Sequence, residues 1–184
     1  IGGEGTIPVI AAEGGTKGVR LDGTDFLQHL SAAGGSPVIA PEGLTGDSPT
    51  RSIEVWAFNP QVAGEETLVS WGRRGGPDGS NMSFNYGSDF RWGAVGHWGN
   101  PDIGWNSAGG SPAAGQWHHL VYTFDGTTTR VYSDGVLANA EIVGGGRINT
   151  HPDTPINIGA QMEGDGITVT GGLRFSGNIA RVRI

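Results

Sequence analysis

Residues 115–135 read GQWHHLVYTFDGTTTRVYSDG. Residues 116–125 form a run rich in aromatic and apolar residues that holds no glycine or proline, which predicts a strand. Asp125-Gly126 interrupts it, a second run follows from Thr128, and Asp134-Gly135 closes that one. Strand, turn, strand and tight turn in this order predict an antiparallel hairpin that continues into a further strand. Side chains alternate along a strand, so Trp117 and Val121 face one way and Leu120, Tyr122 and Phe124 the other. Both faces are apolar. A strand with one wet face would alternate cleanly between apolar and polar residues. The hairpin is therefore expected at the centre of a curved sheet, one face in a sandwich and the other partly covered by loops.

The same two-sided pattern recurs in RSIEVWAF, 51–58, with Ile53, Val55 and Ala57 on one face and Trp56 and Phe58 on the other. Elsewhere, short apolar runs bounded by Gly, Pro, Asp and Asn predict strands at 7–12, 18–22, 26–30, 67–72, 81–86, 89–98, 128–134, 137–143, 156–161 and 173–184. Helical periodicity is hard to find. A chain of 184 residues with 35 glycines, 10 prolines and no internal repeat suits one all-β domain, an antiparallel sandwich or barrel. Trp56, Trp71 and Trp117 lie inside apolar strands and are expected in the core.

Composition narrows the function. There is no cysteine, hence no disulfide framework, thiol nucleophile or Cys-based zinc site. The net charge is −7 and the Lys and Arg residues are scattered, which argues against nucleic acid as a partner. No apolar run is long enough to insert into a membrane as a helix. The chain opens at IGGEGT and stops within GNIARVRI, so a fragment of a longer protein is expected.

The 115–135 hairpin resembles the laminin-G-like jelly-roll domains of the concanavalin A-like lectin/glucanase superfamily. The shared features are the Trp-His entry, the hydrophobic strand, the Asp-Gly turn, and a strand ending in an aromatic, one residue and Asp-Gly. VRLDGTDFLQ (19–28), PTRSIEVWAFNP (49–60), TPINIGAQ (154–161) and FSGNIARVRI (175–184) fit the same pattern, so the resemblance spans roughly 18–184. It implies a two-sheet antiparallel jelly-roll sandwich, one domain over 1–184, from an extracellular or cell-surface protein. It also implies a carbohydrate-binding or adhesive module, often with a bound calcium. A fold alone does not settle function.

Candidate ligand-binding residues concentrate in FRWGAVGHWGNPDIGW, 90–105. If 89–98 is extended, Trp92, Ala94, Gly96 and Trp98 share a face, leaving a slot roughly 20 Å long between the two indoles. Core packing is the stronger reading for these two rings, since large aromatics beside glycines often fill a core. Trp105 follows the turn sequence GNPD and is expected at a loop edge, beside Asp102 and Asn106. The candidate carbohydrate site is therefore Trp98, Trp105, Asp102 and Asn106, with Trp92, His97 and Arg74 behind them. Arg74, in the Arg73-Arg74 pair, reads either as a solvated turn residue or as a bidentate partner for an acidic glycan. For calcium the open loops PDGSN (77–81) and EGDG (163–166) offer Asp78 and Asp165. Asp22, Asp125 and Asp134 precede glycine and read as turn formers.

Catalysis is not expected. Retaining glycosidases need two carboxylates about 5 Å apart facing one cleft. Glu54 has no carboxylate partner on its strand face, and Glu65 and Glu66 are adjacent and point apart. Three readings remain, in order: a lectin-like module that binds a glycan or polysaccharide; a structural or adhesive domain that packs on neighbouring domains or subunits without a sugar site; and a glycan hydrolase. Exposure of the three tryptophans of 90–105 separates the first two.

Overall fold

The computed structural model describes residues 9–32, 35–99, 102–143 and 147–184. Residues 7–8 of the first expected strand and residues 100–101 of the expected GNPD turn lie outside these. The strands in chain order are β1 (Val9–Glu13), β2 (Thr16–Asp22), β3 (Leu27–Gln28), β4 (Gly46–Asp47), β5 (Arg51–Phe58), β6 (Thr67–Gly72) and β7 (Asn81–Asn85). They continue as β8 (Val95–Gly96), β9 (Trp117–Phe124), β10 (Thr128–Ser133), β11 (Val136–Ile142), β12 (Asn149–Thr150), β13 (Asn157–Ile158) and β14 (Ser176–Arg183). A single 3-10 turn at Glu42–Leu44 is the only helical element among the described residues.

A seven-stranded sheet runs β1-β2-β14-β5-β9-β10-β11, and a five-stranded sheet runs β3-β13-β6-β7-β8. Pairings between these strands are antiparallel. The short pair β12-β4 stands apart and was not foreseen, because two-residue strands leave no periodicity to read. The centre of the large sheet is the β5–β9 ladder, in unbroken register from Arg51↔Phe124 to Phe58↔Trp117.

That register sets the core. On β5 the inward face is Ile53, Val55 and Ala57; on β9 it is Leu120, Tyr122 and Phe124. Val69, Trp71, Met82 and Phe84 of the small sheet join the same core. The Phe84 and Tyr122 rings meet across the sandwich at 6.1 Å. Burying a side chain of Phe84's size contributes roughly 1.5–3 kcal/mol. The other faces of β5 and β9 correct the expectation for two tryptophans. Trp56 is 37% exposed and stacks on His119, its cross-strand neighbour. Trp117 is half-buried on the same outer face and donates its Nε1–H to the Glu13 carbonyl. Only Trp71 of the three is fully buried. A two-sided apolar pattern is satisfied here by aromatic pairing on the outside rather than by a second core.

The hairpin turn is as the sequence predicts. Asp134 and Gly135 both have positive φ, 53° and 80°, as a two-residue type I′ loop requires. Asp134 does more than turn the chain. Its carboxylate accepts the His119 N–H at 2.9 Å and lies 2.6 Å from His118 Nδ1, tying the turn to β9. This gives the Trp-His entry and the distant Asp-Gly a shared physical reason.

Candidate functional site

The outward face of the small sheet underlies the site. Along β7, Asn81, Ser83 and Asn85 alternate with the core residues Met82 and Phe84. The polar set faces away from the sandwich core and is bonded to the segment that crosses above it. Asn85 Nδ2 donates to the Trp92 carbonyl at 3.0 Å. Ser83 Oγ and Asn81 Nδ2 both donate to the Gly96 carbonyl at 3.1 Å. A Cβ on Gly96 would stand 2.7 Å from Ser83 Oγ and push that hydroxyl from its place. Gln161 completes the layer. Its Nε2 donates to Glu65 Oε1 at 2.7 Å and to Thr67 Oγ1 at 2.8 Å, while its Oε1 accepts from Asn81 Nδ2 at 3.0 Å. Asn81 is 2% exposed, and its Oδ1 has no hydrogen-bond partner among the described residues.

Above this layer runs an open groove of about 1350 Å³. Trp92, Trp98, Arg74, Asp78 and Asp102 line it, together with Glu65, Asp89, Arg91, Asn81, Gln161 and Glu141. Trp92 and Trp98 are both half-buried. They do not reach the groove from one extended strand. Only Val95–Gly96 is strand in the expected 89–98 segment, and the chain bends on both sides of it. On one side a turn is set by Asp89, whose carbonyl accepts the Gly93 N–H and whose Oδ1 accepts the Arg91 N–H. This lays the Arg91 guanidinium 3.8 Å over the Trp92 ring. On the other side Trp98 sits at φ 72°, an outlier for a bulky side chain. Such strain persists where the surroundings over-determine it. Here the Gly79 N–H binds the Trp98 carbonyl at 2.8 Å, and Asp102 Oδ1 accepts the His97 N–H at 2.6 Å. The Arg74 guanidinium lies 5.1 Å over the Trp98 ring. The groove thus holds two Trp–Arg stacks, each of a kind worth about 0.5–2 kcal/mol.

The groove is acidic. Burial pushes the Asp102 carboxyl up to about 7, and the nearby Glu65 and Asp78 charges add to this; the His97 and Trp98 backbone N–H groups oppose it. Burial also raises Glu65, against hydrogen bonds from Gln161 and Asn85 and the charge of Arg74.

Three of the expected site residues lie elsewhere. Trp105 is 2% exposed and packs on Phe84 with ring centroids 5.9 Å apart, which overturns the expected loop-edge ring. The apolar side of the sandwich took it, since Ile103 and Trp105 alternate inward as a pair flanking Gly104. His97 is fully buried, its Nε2 3.0 Å from Tyr122 Oη, and so its ring points into the core rather than the groove. Asn106 is exposed but does not line the groove; its Oδ1 caps its own turn through the Ala108 N–H. Glu65, Asn81, Asp89, Arg91, Glu141 and Gln161 were missed. The strict alternation of NMSFNY, 81–86, was the available signal for Asn81. Gln161, Glu65 and Glu141 come together only through the tertiary fold.

Asp78 and Asp165, the expected calcium residues, belong to no cluster of three or more His, Asp or Glu side chains among the described residues. Both Asp165 oxygens are taken by its own loop, from the Ile167 and Thr168 N–H groups and the Thr168 hydroxyl. Asp78 lies in the groove rim. Nor is Glu66 a partner for Glu65 in the groove. It is buried and accepts from Asn59 Nδ2 and from the Ala63 and Ser176 N–H groups, a clamp between loop and strand.

Comparison with known proteins agrees with this architecture. Residues 32–184 match the Laminin_G_3 family model of the concanavalin A-like lectin/glucanases superfamily. Among solved structures, domain 4 of AbnA, a GH43 extracellular arabinanase from Geobacillus stearothermophilus in complex with arabinotriose, superposes with a TM-score of 0.58. The identity is 18%, over 98% of this chain and 75% of that one. A heptameric SAP-like pentraxin from Limulus polyphemus gives a TM-score of 0.46 at 10% identity, over 76% of this chain and 64% of that one. No curated protein matches the chain. With the family model covering most of its length and the sandwich fold in agreement, the chain belongs to the concanavalin A-like lectin/glucanase superfamily.

Proposed function

We propose that this domain is a non-catalytic carbohydrate-binding module of an extracellular or cell-surface protein. The observation that carries the reading is the groove, in which the half-buried Trp92 and Trp98 sit over a layer of amide and carboxylate groups. Indole faces stack on the apolar faces of sugar rings, and amides and carboxylates take the hydroxyls. The groove is open rather than a closed pocket, as an oligosaccharide requires. The similarly folded domain 4 of the extracellular arabinanase was solved with arabinotriose, which supports both the ligand class and the setting. Binding to an immobilised glycan panel tests the reading, with wild type compared against Trp98→Ala and Trp92→Ala. Each variant is expected to weaken binding by about tenfold or more, and the bound glycan is recovered uncleaved. A folded wild type that binds no glycan, or variants that bind as well as wild type, would sink it.

A second reading, an adhesive domain, has one observation in its favour. The edge strand β11 exposes Val136, Leu137 and Ile142, the last 79% exposed. Apolar sheet edges pair readily with other chains. Self-association that is lost in Leu137→Lys would support it.

A further inference from the structure

The charge pattern of the groove narrows the ligand class; this inference rests on the reading of the groove as a sugar site. Five carboxyl groups line it, from Glu65, Asp78, Asp89, Asp102 and Glu141, against two guanidinium groups; burial keeps the Asp102 proton up to about 7, so in mild acid the inference rests on Asp78 and Glu141. Both cations are already engaged. Arg91 pairs with Asp89 at 3.6 Å and covers Trp92, and Arg74 covers Trp98 with its charge acting on Glu65. Among the described residues none of Asp78, Asp102 and Glu141 has an ion-pair partner. Independently of the charges, the buried Asn81, which lines the groove, keeps an Oδ1 with no hydrogen-bond partner. That oxygen can only accept, so it matches a ligand N–H or O–H and offers nothing to a carboxylate or sulfate. Among the described residues, no three of these carboxylates form a group that could hold a metal ion, which leaves an organic cation as the charge-matched ligand.

We infer that the groove selects oligosaccharides carrying protonated amino groups, of the glucosamine type, and turns away carboxylated and sulfated glycans. The sugar rings stack on the indole faces of Trp92 and Trp98 opposite Arg91 and Arg74, the ammonium groups face Asp78 and Glu141, and Asn81 Oδ1 accepts a donor from the ligand. Opposite charges across a groove also select by repelling the wrong sign.

Isothermal titration calorimetry at mildly acidic pH and low salt tests this, with a glucosamine tetramer, its fully N-acetylated counterpart, a galacturonate tetramer and a lysine tetramer. The glucosamine tetramer is expected to bind about tenfold tighter than the N-acetylated one, and the galacturonate tetramer not at all. Asp78→Asn and Glu141→Gln each reduce that preference severalfold; both side chains are exposed, so folding is preserved. Glu42→Gln, an acidic change outside the groove, leaves every affinity unchanged. Equal binding of the amine and N-acetyl forms overturns the inference, as does a lysine tetramer that binds as tightly as the glucosamine one. If Trp98→Ala abolishes binding while amine and N-acetyl forms bind alike, only this inference fails. If Trp98→Ala leaves all glycan binding intact, the sugar groove itself fails.

Discussion

Replacing Asp102 with Asn is expected to stabilise the protein above neutral pH and to leave it unchanged in acid. Burial, aided by Glu65 and Asp78, raises this carboxyl from 3.8 to about 7. The unfolded chain releases the proton near 3.8, and the folded chain holds it to about 7. Between those values the folded state binds more protons, so stability falls as pH rises through that window and stays reduced above it. At about 1.36 kcal/mol per pH unit the ceiling is about 4 kcal/mol. Groove water screens the charge, which brings the expected effect to about 2 kcal/mol. Asn keeps an oxygen for the His97 N–H, now bonded at 2.6 Å, so the loop loses no acceptor. For a domain of this size about 2 kcal/mol corresponds to roughly 4–8 °C in Tm. Urea melts of both proteins at about pH 4 and pH 8 measure it. The variant gains only at the higher pH. A gap of equal size at both pH values, or a variant less stable at pH 8, would show that the buried Asp102 charge does not destabilise the fold.

Three further outcomes follow from the packing. Trp105→Ala removes a buried ring from beside Phe84 and costs about 3–5 kcal/mol in chemical denaturation, whereas Trp98→Ala, facing the groove, costs less than about 1.5 kcal/mol. Asp134→Ala deprives the His119 N–H and His118 of their acceptor and costs about 1–3 kcal/mol by the same assay. Gly99→Ala places a side chain at φ 81° and a Cβ 2.3 Å from the Asp78 carboxyl carbon. It costs about 1–2 kcal/mol in Tm measurements and lowers glycan affinity by displacing Asp78.

The long strands were legible because their residues are contiguous. β5 and β6 fall on the expected spans, and β9 and β10 within a residue at each end. Their inward faces followed from simple alternation. The outward faces did not, because apolar residues such as Trp56 are satisfied by a cross-strand ring, which a single strand's pattern does not reveal. Around the site, alternation misled. It assumed that 89–98 is extended, while Asp89 and the positive φ of Trp98 bend the chain on either side of β8. Trp92 and Trp98 nevertheless come to one groove, though through turns held by side chains from β7 and Asp102. Trp105 failed for the opposite reason, since a turn sequence before a residue says nothing about what the following loop packs on. Glu65, Gln161 and Glu141 are distant in sequence and meet only when the two sheets and their loops assemble.

The six indole N–H signals of the protein form a set of reporters that separates the groove from the core and the outer sheet. Trp92 and Trp98 line the groove, Trp71 and Trp105 are buried in the sandwich, and Trp56 and Trp117 lie on the outer face of the large sheet. A two-dimensional NMR titration with arabinotriose and with a glucosamine trimer, the signals assigned by single Trp→Phe variants, tests the sugar groove directly. The Trp92 and Trp98 signals are expected to move and saturate with ligand while the other four stay in place. Shifts confined to Trp56 and Trp117, or no shift at all, would contradict the sugar groove.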